Sequence, residues 1–239
     1  MTRECVAKPM ITDRDEQHDQ RRFYGRRKGR PLRKGQQQLI DTLLPRIAIN
    51  VPAVGGIDPR ALFARPRAVW LEIGFGGGEH LAEQARSNPD IGIIGCEVFL
   101  NGIATLLAQA GGLGNVRVYP EDARDLLDAL PDACLDRVFL LFPDPWPKRR
   151  HTARRFIQPG NLDLLARLMK PGAEFRFASD DPTYIAWGLA HLVRHPGFRW
   201  TAERPQDWRA RTADWPQTRY EFKALREGRE PAFFRFIRT

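Results

Sequence analysis

Apolar and polar residues alternate along this chain in two repeating patterns from residue 67 onward. Short, nearly continuous apolar runs predict buried β-strands, and the segments between them place apolar residues at the spacing of amphipathic helices. We expect strands at Ala68–Ile73, Ile91–Val98, Val116–Tyr119, Leu135–Phe142 and Ala173–Ala178. We expect helices at Glu79–Arg86, Asn101–Ala110, Ala123–Leu130, Leu162–Met169 and Pro182–Val193, with Pro171-Gly172 stopping the fourth of them. This alternation predicts an α/β fold: a doubly wound, mostly parallel sheet covered by helices on both faces, in three layers.

The C-terminal part of the chain departs from this regular alternation. Phe198–Ala202 and Ala232–Ile237 have the composition of strands, and about thirty polar residues separate them. We interpret them as the final strands of the sheet, forming a terminal hairpin with a long insertion.

The N-terminal part is predicted to be less ordered than the rest. Residues 1–20 are polar and mixed in charge, which predicts disorder. Leu39, Ile40, Leu43, Leu44 and Ile47 recur at helical spacing, so residues 36–48 should form an amphipathic helix. A Pro/Gly-rich connection over 51–66 follows it. We therefore predict an arm over residues 1–34 and a single domain over 35–239.

Charge changes the picture of that arm. Residues 21–34 contain eight Lys/Arg and no acid, with Phe23 and Tyr24 among them, and the whole chain carries a net charge of +9. The arm is either a solvated tail or a segment that neutralises phosphates and stacks on bases. The charge favours a polyanionic partner, either nucleic acid or an anionic membrane surface.

Other compositional signals point to a cytoplasmic protein. No run of 18 apolar residues predicts a membrane-spanning helix, and no apolar segment at the N-terminus predicts a secretory signal. Cys5, Cys96 and Cys134 are odd in number and widely spaced, as expected for free thiols in a reducing compartment.

A glycine-rich turn follows the first predicted strand and opens the first predicted helix. Its pattern, Gly74-Phe75-Gly76-Gly77-Gly78, lacks the third glycine of the dinucleotide fingerprint, because Glu79 stands there. An acid at the start of that helix disfavours a pyrophosphate, and Glu72 adds a second negative charge. We infer a ligand without phosphates, and the two negative charges would favour a cationic one.

Three acids at the ends of three successive strands sharpen this inference. Glu72 precedes the turn, Glu97 ends the second strand and Asp122 follows the third. Glu97 could accept hydrogen bonds from two ribose hydroxyls, and Asp122 could receive an adenine amino group. S-adenosylmethionine, with a sulfonium, an ammonium and no phosphate, fits this set. Each acid also has a structural interpretation, since Glu72 could be a strand-end charge and Asp122 a helix N-cap.

A proline-rich loop after the fourth strand presents the strongest candidate chemistry. Phe142-Pro143-Asp144-Pro145-Trp146-Pro147-Lys148 fixes three φ angles and removes three backbone donors. The loop holds a carboxylate and a large aromatic ring beside a cluster of cations. Asp144 could be only a turn residue, yet a turn alone would not require Trp146 and Lys148 as well.

Together these segments resemble the bacterial-type tRNA (guanine-N7-)-methyltransferase family over about residues 20–237. The similarity rests on the Phe-Pro-Asp-Pro-Trp-x-Lys run at Phe142–Lys148, on Leu71–Gly78, and on Arg22–Arg30, Ala178–Asp180 and Thr218–Glu221. The variable position of that run holds Pro147, which stiffens the loop further. The resemblance implies a Rossmann-like class I methyltransferase fold with a seven-stranded sheet whose last strand is antiparallel. It also implies methyl transfer from S-adenosylmethionine to N7 of a guanine in tRNA, at position 46 in the variable loop.

The resemblance assigns roles residue by residue. It implies that the methyl donor contacts Glu72, Gly74, Gly76, Gly78, Glu97, Asp122 and Asp144, with Asp144 also catalytic. It implies that tRNA contacts Lys148, Arg150, His151, Thr152, Ala153, Arg154, Arg155, Asp180, Thr218, Arg219, Tyr220 and Glu221. The expected partner is tRNA, with no metal and no membrane, and the protein is expected to be a monomer or a homodimer.

The chemistry of N7 sets what these residues must do. N7 carries a lone pair in the ring plane and loses no proton, so alignment and charge stabilisation replace a general base. Asp144 could stabilise the developing positive charge or hold a guanine N–H, and Lys148 could donate to guanine O6.

Several of these residues have structural interpretations that the sequence leaves open. Asp180-Asp181-Pro182 is a possible N-cap, and Thr218 with Glu221 a possible capping box. His191 and His195 have a metal-like spacing but no third ligand.

Two other classes of protein remain as alternatives. An NAD-dependent oxidoreductase would share the fold, and a non-catalytic RNA-binding protein would share the charge.

Overall fold

Seven strands form a mixed sheet in the computed structural model, which describes residues 25–239. The strands follow the order β3-β2-β1-β4-β5-β7-β6 across the sheet. Their bounds are β1 Ala68–Ile73, β2 Ile91–Cys96, β3 Val116–Tyr119, β4 Leu135–Leu141, β5 Met169–Ser179, β6 Phe198–Trp200 and β7 Ala232–Arg238. The pairs among β1 to β5 are parallel, whereas β7 is antiparallel to both of its neighbours. The prediction of a seven-stranded sheet with its last strand reversed is confirmed.

Helices connect the strands in alternation. Their bounds are α1 Lys34–Thr42, α2 Leu44–Ile47, α3 Glu79–Ser87, α4 Leu100–Ala110, α5 Ala123–Ala129, α6 Pro159–Leu168, α7 Pro182–Leu192, α8 Gln206–Arg209 and α9 Arg219–Arg226. Two 3₁₀ turns lie at Pro59–Leu62 and Arg149–Arg154.

The sheet separates two apolar cores. Successive side chains of a strand point to opposite faces, so Leu71 packs in one core and Trp70 in the other. Strand β1 lies between β2 and β4, where the strand order reverses direction. In open α/β sheets this switch point opens a crevice at the carboxyl ends of the strands, where ligands bind.

Three expectations change at the level of single elements. The helix expected over 36–48 is broken at Leu43 into α1 and α2, and Pro45 lies in the first turn of the second. Strand β5 begins at Met169, where the fourth helix was expected to continue, because Met169 already pairs with Leu135 of β4. The sequence signal at Pro171-Gly172 therefore lies inside a strand rather than at a helix end.

The hairpin at the C-terminus is confirmed, since β6 and β7 pair antiparallel. Its long insertion carries α8 and α9, which the hydrophobic pattern did not reveal. Cys96 and Cys134 are buried free thiols. The predicted disorder of residues 1–20, Cys5 and the first cations and aromatic rings of the arm, 21–24, lie outside the described residues.

Candidate functional site

A cavity of about 460 Å³ opens at the carboxyl ends of β1, β2 and β4. This volume falls within the roughly 300–1,000 Å³ of sites for small molecules. Its walls come from the glycine-rich turn, the ends of β2 and β3, the proline-rich loop and two more distant segments. The lining residues include Gly25, Arg26, Gly74, Gly76, Glu97, Phe99, Asp122, Phe142, Asp144, Phe156 and Tyr220. The structure therefore brings the predicted turn, three of the four predicted acids and the loop into one place.

The glycine-rich turn adopts a backbone that favours glycine. Gly74, Gly76 and Gly78 have φ angles of +70°, +57° and +77°, in the left-handed region. Gly76 is also crowded, because a Cβ there would lie 2.9 Å from the ring of Tyr220. Gly74 and Gly76 line the cavity, whereas Gly78 lies at the start of α3, with its N–H donating to the Phe75 carbonyl.

Glu97 joins the turn to the second strand. Its Oε2 accepts a hydrogen bond from the Gly76 N–H at 2.8 Å, and its Oε1 accepts from the N–H groups of Val98 and Phe99. Burial raises the pKa of Glu97 and the Asp144 carboxylate raises it further, although the backbone donors oppose the shift. A carboxylate has about four lone-pair sites and three backbone donors occupy three of them, so Glu97 retains capacity for about one hydroxyl donor from a ligand.

Asp122 is both a helix cap and a wall residue of the cavity. It is the N-cap of α5, where its Oδ1 accepts from the Arg124 N–H at 3.0 Å. The Arg124 guanidinium also grips both carboxylate oxygens, at 2.5 to 3.1 Å. The residue still lines the cavity. A ligand amino group at Asp122 would therefore share this carboxylate with Arg124.

The proline-rich loop carries Asp144 to the mouth of the cavity. Phe142 and Trp146 have positive φ angles of 50° and 43°, so the loop turns sharply on each side of Asp144. The Phe142 N–H donates to the Ala178 carbonyl at 2.8 Å, which fixes the start of the loop against β5. Asp144 is exposed, and within residues 25–239 no side chain forms a salt bridge with its carboxylate. The carboxylate is thus available to a bound molecule.

Glu72 lies away from this cavity. It is 3% exposed, and its Oε2 lies 2.7 Å from Nδ1 of His80 on α3. Strand alternation explains the placement, because Glu72 shares the face of Trp70, whereas Ile73 lies on the cavity side. The predicted contact of Glu72 with the methyl donor is not supported by its position.

The basic stretch after the loop is mostly solvent-facing. Lys148, Arg150 and Ala153 are exposed, while His151, Thr152 and Arg154 are partly buried. Partial desolvation and the neighbouring cations Arg154, Arg150 and Lys148 lower the pKa of His151. Arg155 differs from the rest of the stretch, because it is buried.

The remaining predicted tRNA contacts fall into two groups. Arg219 and Tyr220 are exposed, and the Tyr220 ring lies over Gly76 and stacks on Phe142 with a centroid distance of 6.5 Å. Thr218 is buried and caps α9 by accepting from the Glu221 N–H. Glu221 is buried as well, and accepts from Arg211 rather than returning to the Thr218 backbone. Only one half of the possible capping box is therefore formed.

Asp180 is also engaged by the protein itself. Its Oδ2 lies 2.6 Å from Nε of Arg229, beyond the end of α9. The N-cap of α7 is its neighbour Asp181, which accepts from the Tyr184 N–H. The predicted helix N-cap at Asp180-Asp181-Pro182 is thus formed by Asp181, and Asp180 pairs with Arg229 instead.

Part of the basic arm reaches the cavity, which sequence reasoning did not anticipate. Gly25 and Arg26 line it, and Arg27 pairs with Glu121 at 2.7 Å. The Asn101 side chain accepts from the Gly29 N–H and donates to the Arg30 carbonyl, each at 2.8 Å. Only the concentration of cations in this segment marked it as functional in the sequence.

The described residues form neither a metal-binding cluster nor a membrane-spanning helix. Across residues 25–239, no group of three or more His, Cys, Asp or Glu side chains is placed to hold a metal ion. No helix in the same part of the chain has the length and apolar character needed to cross a bilayer.

Comparison with known proteins defines the class of this fold and site. A family model described as “Putative methyltransferase” matches residues 66–233. The solved structure of the 16S rRNA methyltransferase KamB shares the fold with a TM-score of 0.53 at 17% identity, covering 76% of this chain and 91% of that one. The architecture is that of a Rossmann-like class I methyltransferase.

Sequence relatives narrow the class to one family. The tRNA (guanine-N(7)-)-methyltransferase of Rhodospirillum rubrum is 56% identical, covering 91% of this chain and 88% of the relative. The protein of the same name from Paramagnetospirillum magneticum is 57% identical, with 91% and 92% covered. The chain belongs to the tRNA (guanine-N7-)-methyltransferase family.

Proposed function

We propose that this protein transfers a methyl group from S-adenosylmethionine to N7 of a guanine in tRNA, acting in the cytoplasm. The observation that carries the proposal is the shared cavity, where the glycine-rich turn and Glu97 meet the Asp144 loop under a basic surface. A donor bound against the turn and an acceptor guanine arriving from the basic surface would meet beside Asp144.

The cavity suits S-adenosylmethionine in its donor chemistry. The free acceptor capacity of Glu97 suits a ribose hydroxyl, and Asp122 on the cavity wall suits the adenine amino group. The turn offers close backbone approach through Gly74 and Gly76, and the helix that it opens, α3, has Glu79 in its first turn, which disfavours a phosphate there. When bound, S-adenosylmethionine supplies an electrophilic methyl group on a positively charged sulfur.

The chain's own residues act by alignment and electrostatics. Guanine N7 attacks with its in-plane lone pair, so the N7–methyl bond forms as the sulfur–methyl bond breaks and no proton is removed. Correct alignment of reacting atoms supplies on the order of 7–11 kcal/mol. Positive charge moves onto the purine, and the Asp144 carboxylate at the cavity mouth stabilises it.

Recognition of guanine falls to groups beside the same loop. Lys148 is exposed at the start of the 3₁₀ turn and could donate to guanine O6, which adenine lacks. Phe142, at the start of the loop, and Tyr220 stack on each other and form an aromatic part of the cavity wall. The target we propose is the guanine at position 46 in the variable loop, because the family resemblance implies it.

The decisive experiment is direct product identification. Unmodified tRNA is incubated with the protein and labelled S-adenosylmethionine, and the nucleosides are then analysed. We expect labelled 7-methylguanosine, and we expect it to disappear from a matched tRNA in which adenine replaces the guanine at position 46. Label at another base or position would refute the site proposal, and no label in tRNA would refute the tRNA proposal.

The two other classes are not favoured. An NAD-dependent oxidoreductase needs a pyrophosphate site, whereas Glu79 stands at the start of α3. A non-catalytic RNA-binding protein would not need a cavity with carboxylates at its base. Equilibrium binding of S-adenosylmethionine against a nicotinamide cofactor separates the first of these from a methyltransferase.

A further inference from the structure

Arg155 is a buried cation at the end of an exposed basic stretch. It is 3% exposed, whereas Arg149 and Arg150 face solvent. A guanidinium in this position cannot neutralise an RNA phosphate without leaving its pocket. Its contacts therefore have to explain why the fold desolvates a charge there.

Those contacts lie on the backbone of the proline-rich loop. Arg155 Nε donates to the Pro145 carbonyl at 2.9 Å, and Nη2 donates to the Trp146 carbonyl at 3.1 Å. Pro145 directly follows Asp144, and Trp146 is the residue with φ at +43°. Because Pro143, Pro145 and Pro147 have no N–H, the loop cannot hold its shape through a regular backbone ladder. The planar guanidinium of Arg155 supplies two hydrogen bonds that hold the loop backbone in place.

Aromatic rings fix the guanidinium from α7. Its carbon lies 4.9 Å from the centroid of the Trp187 ring and 5.7 Å from that of Tyr184. Both rings are anchored to Ile157, since Trp187 Nε1 donates to its carbonyl and the Tyr184 hydroxyl accepts from its N–H. Within residues 25–239 no carboxylate forms a salt bridge with Arg155. The Arg155 guanidinium therefore interacts with the two loop carbonyls through hydrogen bonds and with the two rings through cation–π contacts.

We propose that Arg155 is a positioning residue that clamps the Pro145 and Trp146 carbonyls and so holds the Asp144 carboxylate at the mouth of the donor cavity. The expected effect of Arg155 on the reaction rate rests on the proposed methyl transfer, whereas its contacts with the loop do not. The clamp itself is a property of the loop, and it replaces the tRNA contact that the family resemblance implied for Arg155.

The test compares Arg155→Ala with Arg150→Ala, a matched loss of one cation from the same stretch. We measure tRNA affinity, donor affinity and the single-turnover rate at saturating tRNA and donor. In Arg155→Ala we expect both affinities to be retained and the rate to fall by about 10²-fold, as for a small misplacement of a reacting group. In Arg150→Ala we expect tRNA affinity to fall, with the salt slope reduced by about 1, and loop exchange over 144–150 to stay as in wild type.

Three further measurements extend the test, and the first of them keeps the proposal falsifiable if the alanine variant is unstable. Arg155→Lys keeps the charge but not the fork, so we expect an intermediate loss of rate with normal binding. Added guanidinium ion should partly restore Arg155→Ala, and sodium chloride at the same concentration should not. Amide exchange over 144–150 should speed up in both Arg155 variants while exchange in β1 and β4 is unchanged.

The outcomes separate the clamp from the wider proposal. Faster exchange in the loop supports the clamp even if the wild-type protein fails to methylate tRNA, which would overturn only the proposed function. Weakened tRNA binding with a normal single-turnover rate in Arg155→Ala would overturn the clamp in favour of a phosphate contact. Unchanged loop exchange in both Arg155 variants would also overturn it.

Discussion

Asp144 is the acid of the cavity whose carboxylate is least occupied by the protein itself. Glu97 accepts from three backbone amides and Asp122 is gripped by Arg124, whereas Asp144 is exposed on its loop. We expect Asp144→Ala to lower methyl transfer at saturating donor by at least about 10²-fold, because the charge that develops on the purine loses its stabilising partner. Single-turnover transfer to tRNA measures the effect.

The matched variant Asp144→Asn distinguishes the two roles of this side chain. The amide keeps a hydrogen-bond acceptor for a guanine N–H but carries no charge. A rate close to that of Asp144→Ala indicates electrostatic stabilisation, and a rate close to wild type indicates a hydrogen bond. A loss well under tenfold in Asp144→Ala would contradict either role.

Glu97 gives donor binding a pH dependence. Burial raises its pKa above the ordinary value, with a further contribution from Asp144. Ribose hydroxyls prefer the ionised carboxylate, so donor binding lowers that pKa, and affinity falls as pH drops through it. We expect donor affinity, measured by calorimetry, to weaken as the pH falls, and to begin weakening above the pH range in which an ordinary glutamate is protonated.

Glu97→Gln provides the control for this pH effect. The variant should bind the donor more weakly, with an affinity that is nearly flat over the same pH range. If the wild-type pH profile persists in Glu97→Gln, the effect belongs to another titratable group of the cavity. Asp122 and Asp144 are such groups, because both line it.

The sequence predicted residue types at this site better than side-chain directions. Glu97, Asp122 and Asp144 line the cavity as expected, because strand ends in a parallel sheet meet at one edge. Glu72 does not, since alternation along β1 turns it toward His80, and the sequence does not tell which face of the sheet holds the ligand. Arg155 resembles its basic neighbours in sequence, and its burial depends on rings from α7, about thirty residues away.

At the scale of elements, the bounds of helices and strands were predicted well where the apolar residues follow a single clear strand or helix periodicity. β1 and β3 have the predicted bounds, and α3 and α7 differ by one residue at the C-terminal end. α9 was missed because it is short and its large apolar residues form no buried stripe: Phe222 and Leu225 are exposed, and Lys223 lies between them in sequence. The start of β5 was missed because pairing with β4 overrides the local Pro-Gly signal.

The contact between the basic arm and α4 makes a prediction at this scale. Asn101, in the first turn of α4, holds both the Gly29 N–H and the Arg30 carbonyl, and the preceding residues line the cavity. Each such hydrogen bond contributes about 1 kcal/mol. We therefore expect Asn101→Ala to free this segment and to weaken donor binding by up to about tenfold, with little change in thermal stability.

Thr105→Ala is the matched control on the same helix. Thr105 donates to the Asn101 carbonyl, one turn back, and forms no hydrogen bond to the arm among the described residues. Calorimetry with the donor, together with amide exchange over 25–33, measures both variants. Unchanged exchange and affinity in Asn101→Ala would show that the arm is held by other contacts, such as the Arg27–Glu121 pair.

At the scale of the whole molecule, the charge and the cavity share one edge of the sheet. The net charge is +9. Arg26 lines the cavity, Arg219 lies beside Gly76 of the glycine-rich turn, and the exposed Lys148, Arg149 and Arg150 follow the loop that carries Asp144. An anionic membrane would be attracted by the same charge, but it would not need a carboxylate such as Asp144 at the centre of the basic surface. The arrangement fits a nucleic acid that places one base in the cavity beside Asp144.

Salt dependence tests whether this edge, rather than net charge, binds tRNA. Each phosphate neutralised by a cation contributes about −0.7 to −0.9 to the slope of log affinity against log salt. We expect steep weakening with salt, and we expect Arg149→Gln with Arg150→Gln to reduce the slope by about 2. The control pair, Arg194→Gln with Arg199→Gln, removes an equal charge. Both arginines are exposed, but they lie toward the amino ends of the strands, because α7 runs back from the carboxyl end of β5. That pair should leave the slope unchanged, and an equal reduction by both pairs would mean that tRNA follows the total charge and not the surface around Asp144.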